Sequence, residues 1–511
     1  MHLRLKNIDP LIAVLALLNI TLHLAFAGNL EYHRDEMLYF ILGKHPAAGY
    51  ASLPPLTGLL AWLVQNIFGS SLFAVRLLPA LASGLMVLLV SRIAKELGGS
   101  RYASVLAATG FITAGFALRT YLMFMPVYLD VTFWTLILYI IVRYLNTGKE
   151  KYLLWLGIAS GFSLLNKYMP GVLFLGLLLI IPFTRQREIF RRKMFWLGFA
   201  SCFIIFLPNI IWQFSNGLPA LEHLSELNRT QLVHVNRIVF ILEQFFMASW
   251  SSFLLVAGII YLLSSREALK FRFLGYLTLF VIIVLMLLRG KSYYPLGVFP
   301  FLIAAGATSF DHSLKSSRIR IMLPVLLIVL TIPFLPMGLP VFNSEGLVKY
   351  FSILEKKFGM TMGRRFEDNS IHSLPQDYAD MIGWNELTRV ADSAWNMIEH
   401  KDEAFIYAEN YGEAAAVTLI GRKYNLPEVV SFNESFMYWF PEQFDPDITS
   451  IVYINYEEPG EDVRTLFRKI TRVGGITNPN SREYGTSVYL MQDPVESFNY
   501  FWKLRTKELK R

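Results

Sequence analysis

Apolar residues dominate positions 1–337, where they gather into eleven stretches separated by polar loops. The stretches are 10–27, 72–90, 102–118, 122–145, 152–165, 169–183, 194–210, 244–263, 273–288, 295–309 and 319–337. An upright helix needs about 20 apolar residues to cross a bilayer, so the shorter stretches require tilt or flanking residues. The pattern predicts an α-helical polytopic membrane protein with about eleven transmembrane helices.

Residues 338–511 show a different pattern, in which helical and strand-like segments alternate. The helical segments are 345–357, 385–400 with Asn385 as its cap, and 411–422; the strand-like runs are Ala404–Ala408, Glu428–Phe432, Ser450–Tyr456 and Thr486–Met491. Such alternation is typical of a layered α/β domain. Because Pro333, Pro336 and Pro340 separate the two patterns, we predict a transmembrane domain at 1–337 and an α/β domain at 338–511.

Basic residues fall in alternate loops and so predict the orientation of the chain. The basic loops contain Arg4 and Lys6; Arg92, Lys95 and Arg101; Arg143, Lys149 and Lys151; Arg185, Arg187, Arg191, Arg192 and Lys193; Arg266, Lys270 and Arg272; and Lys315, Arg318 and Arg320. Loops rich in Lys and Arg face the cytoplasm. With eleven crossings, the loop at 28–46 and the domain at 338–511 are then expected outside.

Composition agrees with a membrane protein and argues against a nucleic-acid-binding one. Apolar residues make up 54% of the chain and charged residues only 17%. The net charge of +8 is uneven: residues 338–511 hold 19 Lys and Arg against 26 Asp and Glu, whereas the rest hold 28 against 13. The positive excess therefore lies in loops that contact anionic membrane lipids. The single cysteine, Cys202, is in an apolar stretch, so the C-terminal domain has no disulfide.

Acidic residues at the outer ends of predicted helices are candidates for catalysis. Asp35 and Glu36 follow the first apolar stretch, and Asp130 lies among apolar residues at the outer end of the fourth. A carboxylate at a membrane surface can take a proton from an incoming hydroxyl group. A carboxylate in apolar surroundings is costly unless it is paired or faces a wet cavity. The alternatives are a solvated loop charge for Asp35 and an ion pair with Arg119 for Asp130.

Several basic residues lie on the predicted outer turns, where few Lys and Arg are expected, and their presence there calls for an explanation. These residues, with two neighbouring tyrosines, are Arg76, Lys167, Arg289, Lys291, Tyr293 and Tyr294. A lipid phosphate would supply the reason, because cations and tyrosine hydroxyls donate strong hydrogen bonds to phosphate. We expect Arg76, Lys167 and Lys291 to converge on one phosphate. The alternative is contact with separate lipid headgroups, which Arg76 would reach along its aliphatic stem.

The run Ser52-Leu53-Pro54-Pro55-Leu56 predicts a break between the first two crossings. Proline has no amide hydrogen to donate and cannot continue a helix. The amphipathic stretch that follows, at 59–68, is expected to lie in the membrane interface.

The order of these motifs resembles that of a known group of enzymes. From Tyr32 to Gly99 the sequence is similar to the GT-C superfamily of membrane glycosyltransferases, and within it to family 39, which contains protein O-mannosyltransferases and lipid A aminoarabinose transferases. The resemblance rests on Asp35-Glu36, Pro54-Pro55-Leu56, Arg76-Leu77-Leu78-Pro79 and the basic turn that ends at Gly99. It continues more weakly through Asp130, Lys167, Pro208–Gln213, Lys291–Tyr294 and Ala408–Glu413.

The resemblance implies a GT-C type transmembrane domain that transfers a sugar with inversion. The donor would be a polyprenyl-phosphate-linked sugar, and the acceptor a lipid, glycan or protein outside the cytoplasm. The resemblance makes Asp35 the base, Asp130 the second acid and Glu36 their support, and it gives the leaving phosphate to Arg76, Lys167, Lys291, Tyr293 and Tyr294. A cell inner membrane and a periplasmic C-terminal domain would follow. No cofactor is implied, and the need for a divalent metal stays open.

Two departures limit the resemblance. Aminoarabinose transferases have a Lys just before their proline, where this chain reads Ser52-Leu53, so other residues must hold the phosphate. Bacterial members often continue with Gly-His-Asn-Ser and Trp-Gly-Pro, where this chain reads Ser431–Ser435 and Tyr438–Pro441. The alternative function is a transporter or flippase of a lipid-linked substrate. Transporters typically contain two related halves and ionisable residues near the bilayer midplane. In this chain the candidate charged residues lie at the ends of predicted helices.

Overall fold

The computed structural model describes residues 8–361, 363–368 and 370–509. Arg4 and Lys6, which the charge pattern assigns to the first basic loop, lie outside the described residues. The chain divides into two compact units that alternate along the sequence. The membrane unit comprises Met1–Ala27, Ala47–Thr57 and Arg76–Val341, and the tail unit comprises Gly28–Pro46, Gly58–Val75 and Phe342–Arg511.

Helices account for most of the first 340 residues. They are α1 (Pro10–Ala25), α2 (Arg34–Leu42), α3 (Leu56–Phe68), α4 (Leu72–Glu96), α5 (Arg101–Ile112), α6 (Gly115–Thr120), α7 (Pro126–Thr147), α8 (Lys151–Asn166), α9 (Pro170–Ile180), α10 (Lys193–Ser215), α11 (Pro219–Thr230), α12 (Arg237–Ala248), α13 (Ser252–Ser264), α14 (Arg272–Leu287), α15 (Phe299–Ser313), α16 (Ser317–Thr331) and α17 (Leu335–Gly338). Helices occupy all eleven predicted apolar stretches, although the stretch at 102–118 is interrupted between α5 and α6.

Six helical segments within the described residues are long and apolar enough to cross a membrane. They are Leu72–Glu96, Pro126–Thr147, Lys193–Ser215, Arg237–Ser264, Leu269–Leu287 and Ser317–Gly338. Pro10–Ala25, Leu56–Phe68 and Pro170–Phe183 are shorter apolar helices. The prediction of a helical membrane protein is therefore confirmed.

Helix α10 shows the polarity that a lipid solvent imposes. Its apolar residues Phe199, Ile204 and Phe214 are 60%, 66% and 71% exposed, whereas Asn209 is fully buried and Gln213 nearly so. Asn209 accepts a hydrogen bond from the Tyr168 hydroxyl at 3.1 Å and donates one to the Ala48 carbonyl at 2.8 Å. Polar groups in a bilayer need partners inside the protein, so this helix turns its amides inward.

The predicted break at Pro54 and Pro55 is confirmed, since no helix runs from Gly43 to Pro55 and α3 begins at Leu56. The first loop and the part of α3 from Gly58 onward belong to the tail unit, although the sequence pattern assigns both to the transmembrane domain. Hydrogen bonds explain the position of the first loop. The backbone N–H of Glu31 donates to the Met381 carbonyl at 3.1 Å, and that of Arg34 donates to the Asp380 carbonyl at 3.2 Å.

The C-terminal part of the tail unit is a mixed sheet with helices. The helices are α18 (Ser344–Phe358), α19 (Gln376–Ala379), α20 (Trp384–Asn396), α21 (Tyr411–Ile420), α22 (Glu461–Arg464) and α23 (Phe498–Leu509), and the strands are β1 (Ala404–Ala408), β2 (Ser450–Asn455), β3 (Phe467–Gly475) and β4 (Ser487–Pro494). The strand order is β1-β2-β4-β3, in which only β1 and β2 are parallel. Phe405, Tyr453, Met491 and Trp502 belong to the apolar core on this sheet.

Two expectations for this region are wrong, and one strand was not predicted. Residues 428–432 form no strand and pair with β1 only through a bridge between Val430 and Tyr407. Helix α20 starts at Trp384 after Gly383, whose φ of 99° favours glycine, so Asn385 is not the cap. Instead, the Asn385 N–H donates to the Glu31 carboxylate at 3.0 Å. Strand β3 was missed because Arg468, Lys469 and Arg472 make this edge strand read as a polar segment.

Candidate active site

Helix α2 holds Asp35 at its first turn through a capping box. The His33 ring nitrogen Nδ1 accepts from the Asp35 N–H at 3.1 Å, and the Glu36 carboxylate accepts from the His33 N–H at 3.0 Å. These bonds satisfy amide groups that a helix start leaves without partners. The buried Glu36 carboxylate therefore caps the N-terminus of α2, whereas the neighbouring Asp35 carboxylate forms a hydrogen bond with a different partner.

That partner is Tyr411, at the start of α21 in the same unit. The Tyr411 hydroxyl donates to Asp35 Oδ1 at 2.8 Å. Burial, and then the negative charge of Asp35, raise the pKa of Tyr411 well above its usual value. The phenol therefore stays protonated at neutral pH and remains a hydrogen-bond donor.

Arg34 fixes the Tyr411 ring in place. The guanidinium carbon lies 4.5 Å from the ring centroid, a cation–π geometry. The Nη2 atom of Arg34 donates to Asn410 Oδ1 at 2.7 Å, and the Nη1 atom of Arg34 lies 3.2 Å from Glu483 Oε1. Arg34 is only 7% exposed, so these contacts operate with little screening by water. The three contacts bind α2 to the start of α21 and to Glu483, which lies shortly before β4.

Asp130 lies in a separate cluster, in the membrane unit near the start of α7. It is 4% exposed and accepts a hydrogen bond from the Trp134 indole at 2.9 Å. Gly297 lies directly against the Trp134 ring and leaves no room for a side chain. The expected partner Arg119 donates to the Met337 carbonyl at 3.0 Å. Lys167 is the basic residue that interacts electrostatically with Asp130.

Lys167 is positioned by the end of α8. The preceding residue, Asn166, is fully buried and donates to the Pro126 carbonyl at 2.9 Å, which ties the end of α8 to the start of α7. The Lys167 ammonium lies 5.1 Å from the Tyr293 ring centroid and 5.3 Å from that of Tyr294. Lys291 also interacts electrostatically with Lys167. Lys167, Lys291, Tyr293 and Tyr294 thus gather in one place, and we call them the phosphate-binding cluster after the role that the sequence predicts.

The other two predicted cations have different partners. Arg76 is 1% exposed and its guanidinium donates to the carbonyl of Ala27, which follows the C-terminal end of α1. This burial does not fit the alternative in which Arg76 reaches lipid headgroups. Arg289 donates to the Val233 carbonyl at 2.9 Å. Of the three cations expected to converge, the structure therefore brings together Lys167 and Lys291.

Comparisons with known proteins agree with the fold of the chain. Residues 52–212 match the family model described as dolichyl-phosphate-mannose-protein mannosyltransferase. ArnT from Cupriavidus metallidurans, solved with undecaprenyl phosphate and in the apo state, aligns with a TM-score of 0.57 at 13% identity, over 94% of this chain and 97% of its own. Arabinofuranosyltransferase AftD from Mycobacteria aligns with a TM-score of 0.50 at 13% identity, over 95% of this chain and 40% of its own. A search of curated protein sequences gave no match.

The chain has the fold of the GT-C membrane glycosyltransferases, and its residues 52–212 match one glycosyltransferase family. Both solved structures belong to the GT-C glycosyltransferases. The resemblance predicted from Asp35-Glu36 and the proline and arginine motifs is confirmed at the level of this superfamily. The prediction of an enzyme is confirmed with it, and the alternative of a transporter loses its support.

The tail unit of this glycosyltransferase contains an open cavity of about 410 Å³. Polar groups along its lining come from Asn29, Glu31, Asn343, Asn385, Glu386 and Asn478. Carboxylates accept and amides both donate and accept hydrogen bonds, so the cavity is suited to hydroxyl groups. Within the described residues, no three His, Cys, Asp or Glu side chains are grouped to hold a metal ion.

Glu413, on α21 of the transferase, is a buried acid that sequence reasoning did not single out by itself. It is 1% exposed, and its Oε1 accepts from the Thr486 hydroxyl at 3.4 Å, whereas its Oε2 has no hydrogen-bond partner. Burial, and then the charge of Glu483, raise the pKa of Glu413 to about 8. The folded tail unit therefore favours the neutral carboxylic acid.

The raised pKa of Glu413 predicts how the stability of the folded protein depends on pH. A neutral Glu413 stabilises the fold fully below about pH 4.5, and that contribution is lost as the pH rises through about 8. Glu413→Gln keeps a neutral side chain, so we expect it to stabilise the protein at pH 9 by on the order of 2–4 kcal/mol and to change little at pH 4.5. Thermal unfolding in detergent at both pH values measures the difference. The exposed Glu399→Gln serves as the control, and an equal shift at both pH values would contradict the assignment.

Proposed function

We propose that the chain transfers a sugar from a polyprenyl-phosphate-linked donor to a hydroxyl-bearing acceptor on the outer side of the cell inner membrane. The acceptor is a lipid, a glycan or a protein. The observation that carries this function is the phosphate-binding cluster, in which two lysines and two tyrosines gather at the ends of membrane helices. ArnT, which binds undecaprenyl phosphate, has the same fold.

The phosphate-binding cluster is suited to a leaving phosphate. Lys167 and Lys291 carry two positive charges, and Asp130 supplies one negative charge nearby. The remaining positive charge favours an anionic ligand, and fixed cations in a partly dry site stabilise charge that develops on a leaving group. Asp130, held by the Trp134 indole, orients Lys167 towards the two tyrosine rings.

Asp35 serves as the base in this proposal. The acceptor oxygen forms a bond to the anomeric carbon of the sugar while the bond from that carbon to the phosphate oxygen breaks. The acceptor proton passes to Asp35, and the polyprenyl phosphate leaves with the electron pair. A single displacement of this kind inverts the configuration at the anomeric carbon. General base catalysis typically contributes about 10²–10⁴ in rate.

The loop charges support a tail unit outside the cytoplasm. Because the basic loops fall on one side of the predicted crossings, we expect a reporter that is active only in the cytoplasm to give no signal when it is fused after residue 345. A reporter after residue 149, in a basic loop, should give a strong signal. A strong cytoplasmic signal at 345 would reverse the orientation.

Transfer by the purified protein tests the function itself. The protein in detergent should release polyprenyl phosphate and form a glycosylated product from a mixture of polyprenyl-phosphate sugars and cell-envelope extract, both detected by mass spectrometry. Envelopes from cells with and without the gene identify the natural product. If neither measurement shows transfer from a polyprenyl-phosphate donor, the proposed donor class is wrong.

A further inference from the structure

The proposed base is held by a residue from a distant part of the chain. Asp35 and Tyr411 are 376 positions apart and are joined by the 2.8 Å hydrogen bond from the phenol to Oδ1. We propose that Tyr411 is a positioning residue, which fixes the Asp35 carboxylate so that its second oxygen can take the acceptor proton. The inference rests on the proposed function, because it assigns a role to Tyr411 through Asp35.

The phenol is held firmly enough for this role. Asn410 caps α21, because its Oδ1 accepts from the Gly412 N–H at 2.7 Å, and the same oxygen accepts from Arg34. The backbone N–H of Tyr411 donates to Asn433 Oδ1 at 3.2 Å. With the Arg34 guanidinium over its ring, Tyr411 is constrained at its backbone, its ring face and its hydroxyl. Such support restricts the carboxylate to one geometry.

If Tyr411 were only a structural residue, its hydroxyl would be needed to attach α2 to α21. The hydrogen bond from Arg34 to Asn410 already joins α2 to the cap of α21, so the phenol hydroxyl is not needed for that attachment. The hydroxyl bonds the one side chain in this network that is proposed to react. Attachment of α2 to α21 therefore does not account for the Tyr411 hydroxyl, whereas positioning of Asp35 does.

Tyr411→Phe removes the hydroxyl and keeps the ring beneath Arg34. We expect kcat to fall by about tenfold to a hundredfold, as for loss of a hydrogen bond to a charged group. The KM for the polyprenyl-phosphate donor and the thermal midpoint should stay near their wild-type values. Tyr453→Phe is the matched control, because the Tyr453 hydroxyl donates to another tail-unit carboxylate, Glu409, at 2.9 Å. That variant should keep the wild-type kcat.

A double variant separates this inference from the proposed function. If Tyr411 acts through Asp35, adding Tyr411→Phe to Asp35→Asn lowers the residual rate no further. A wild-type kcat for Tyr411→Phe, or an equal loss in both backgrounds, would overturn the inference while Asp35 remained the base. A wild-type rate for Asp35→Asn would instead remove the base assignment. If Tyr411→Phe folds poorly, 3,5-difluorotyrosine at position 411 keeps the ring and hydroxyl but makes the phenol more acidic and a stronger donor, and an unchanged kcat there would also overturn the role of Tyr411.

Discussion

Asp35→Asn is expected to lower sugar transfer by about 10²–10⁴-fold. The amide has nearly the shape of the carboxylate and can still accept the hydrogen bond from Tyr411, but it cannot take a proton from the acceptor. Folding and binding of the donor lipid should stay close to those of the wild type, because the phosphate-binding cluster lies in the membrane unit. Single-turnover transfer and donor binding, measured on the same purified sample, report the two properties separately.

Glu36→Gln is the informative comparison for this variant. Glutamine can replace glutamate in a capping box, so the closure of α2 should survive and transfer should fall far less than in Asp35→Asn. A loss in Glu36→Gln as large as that in Asp35→Asn would move the base to Glu36. Near wild-type transfer by a correctly folded Asp35→Asn protein would exclude Asp35 as the base.

Local patterns predicted the helices of this protein well, because apolar periodicity reports burial and lipid contact directly. All eleven apolar stretches contain helix, and the predicted bounds of β1, β2 and β4 agree with the structure within three residues. The missed strand β3 lies at the sheet edge, where exposed Arg468, Lys469 and Arg472 obscure the strand pattern. Polar residues on an edge strand protect the sheet from pairing with further strands. Because of these residues, the sequence of such a strand resembles that of a loop.

The partners of the site residues could not be predicted from neighbours in the sequence. Arg119 is the basic residue close to Asp130 along the chain, yet Lys167 interacts with Asp130 because Asn166 ties the end of α8 to Pro126. Likewise, the bond between Asp35 and Tyr411 joins segments that only the tertiary fold brings together. The motifs that contain Asp35 and Tyr411 could be recognised separately, but their contact could not.

Lys167 is the lysine of the phosphate-binding cluster whose surroundings are best defined. Lys167 lies near both tyrosine rings and near Asp130, on a backbone fixed by Asn166. Two like charges repel one another, and Asp130 offsets only one of the two lysines. We expect a donor phosphate bound near Lys167 and Lys291 to relieve the remaining repulsion, so that the cluster favours a lipid phosphate over a neutral headgroup.

Lys167→Gln should therefore weaken donor binding and slow transfer together, by about 10²–10³-fold in kcat/KM, the range for loss of a preorganised charge stabiliser. Lys151→Gln is the matched control. Lys151 starts the same helix, α8, and its ammonium also lies near a tyrosine ring, 5.7 Å from the centroid of Tyr152. It should keep the wild-type rate. Donor binding and kcat/KM measured in detergent decide the matter, and equal values for Lys167→Gln and the wild type would exclude Lys167 from the phosphate site.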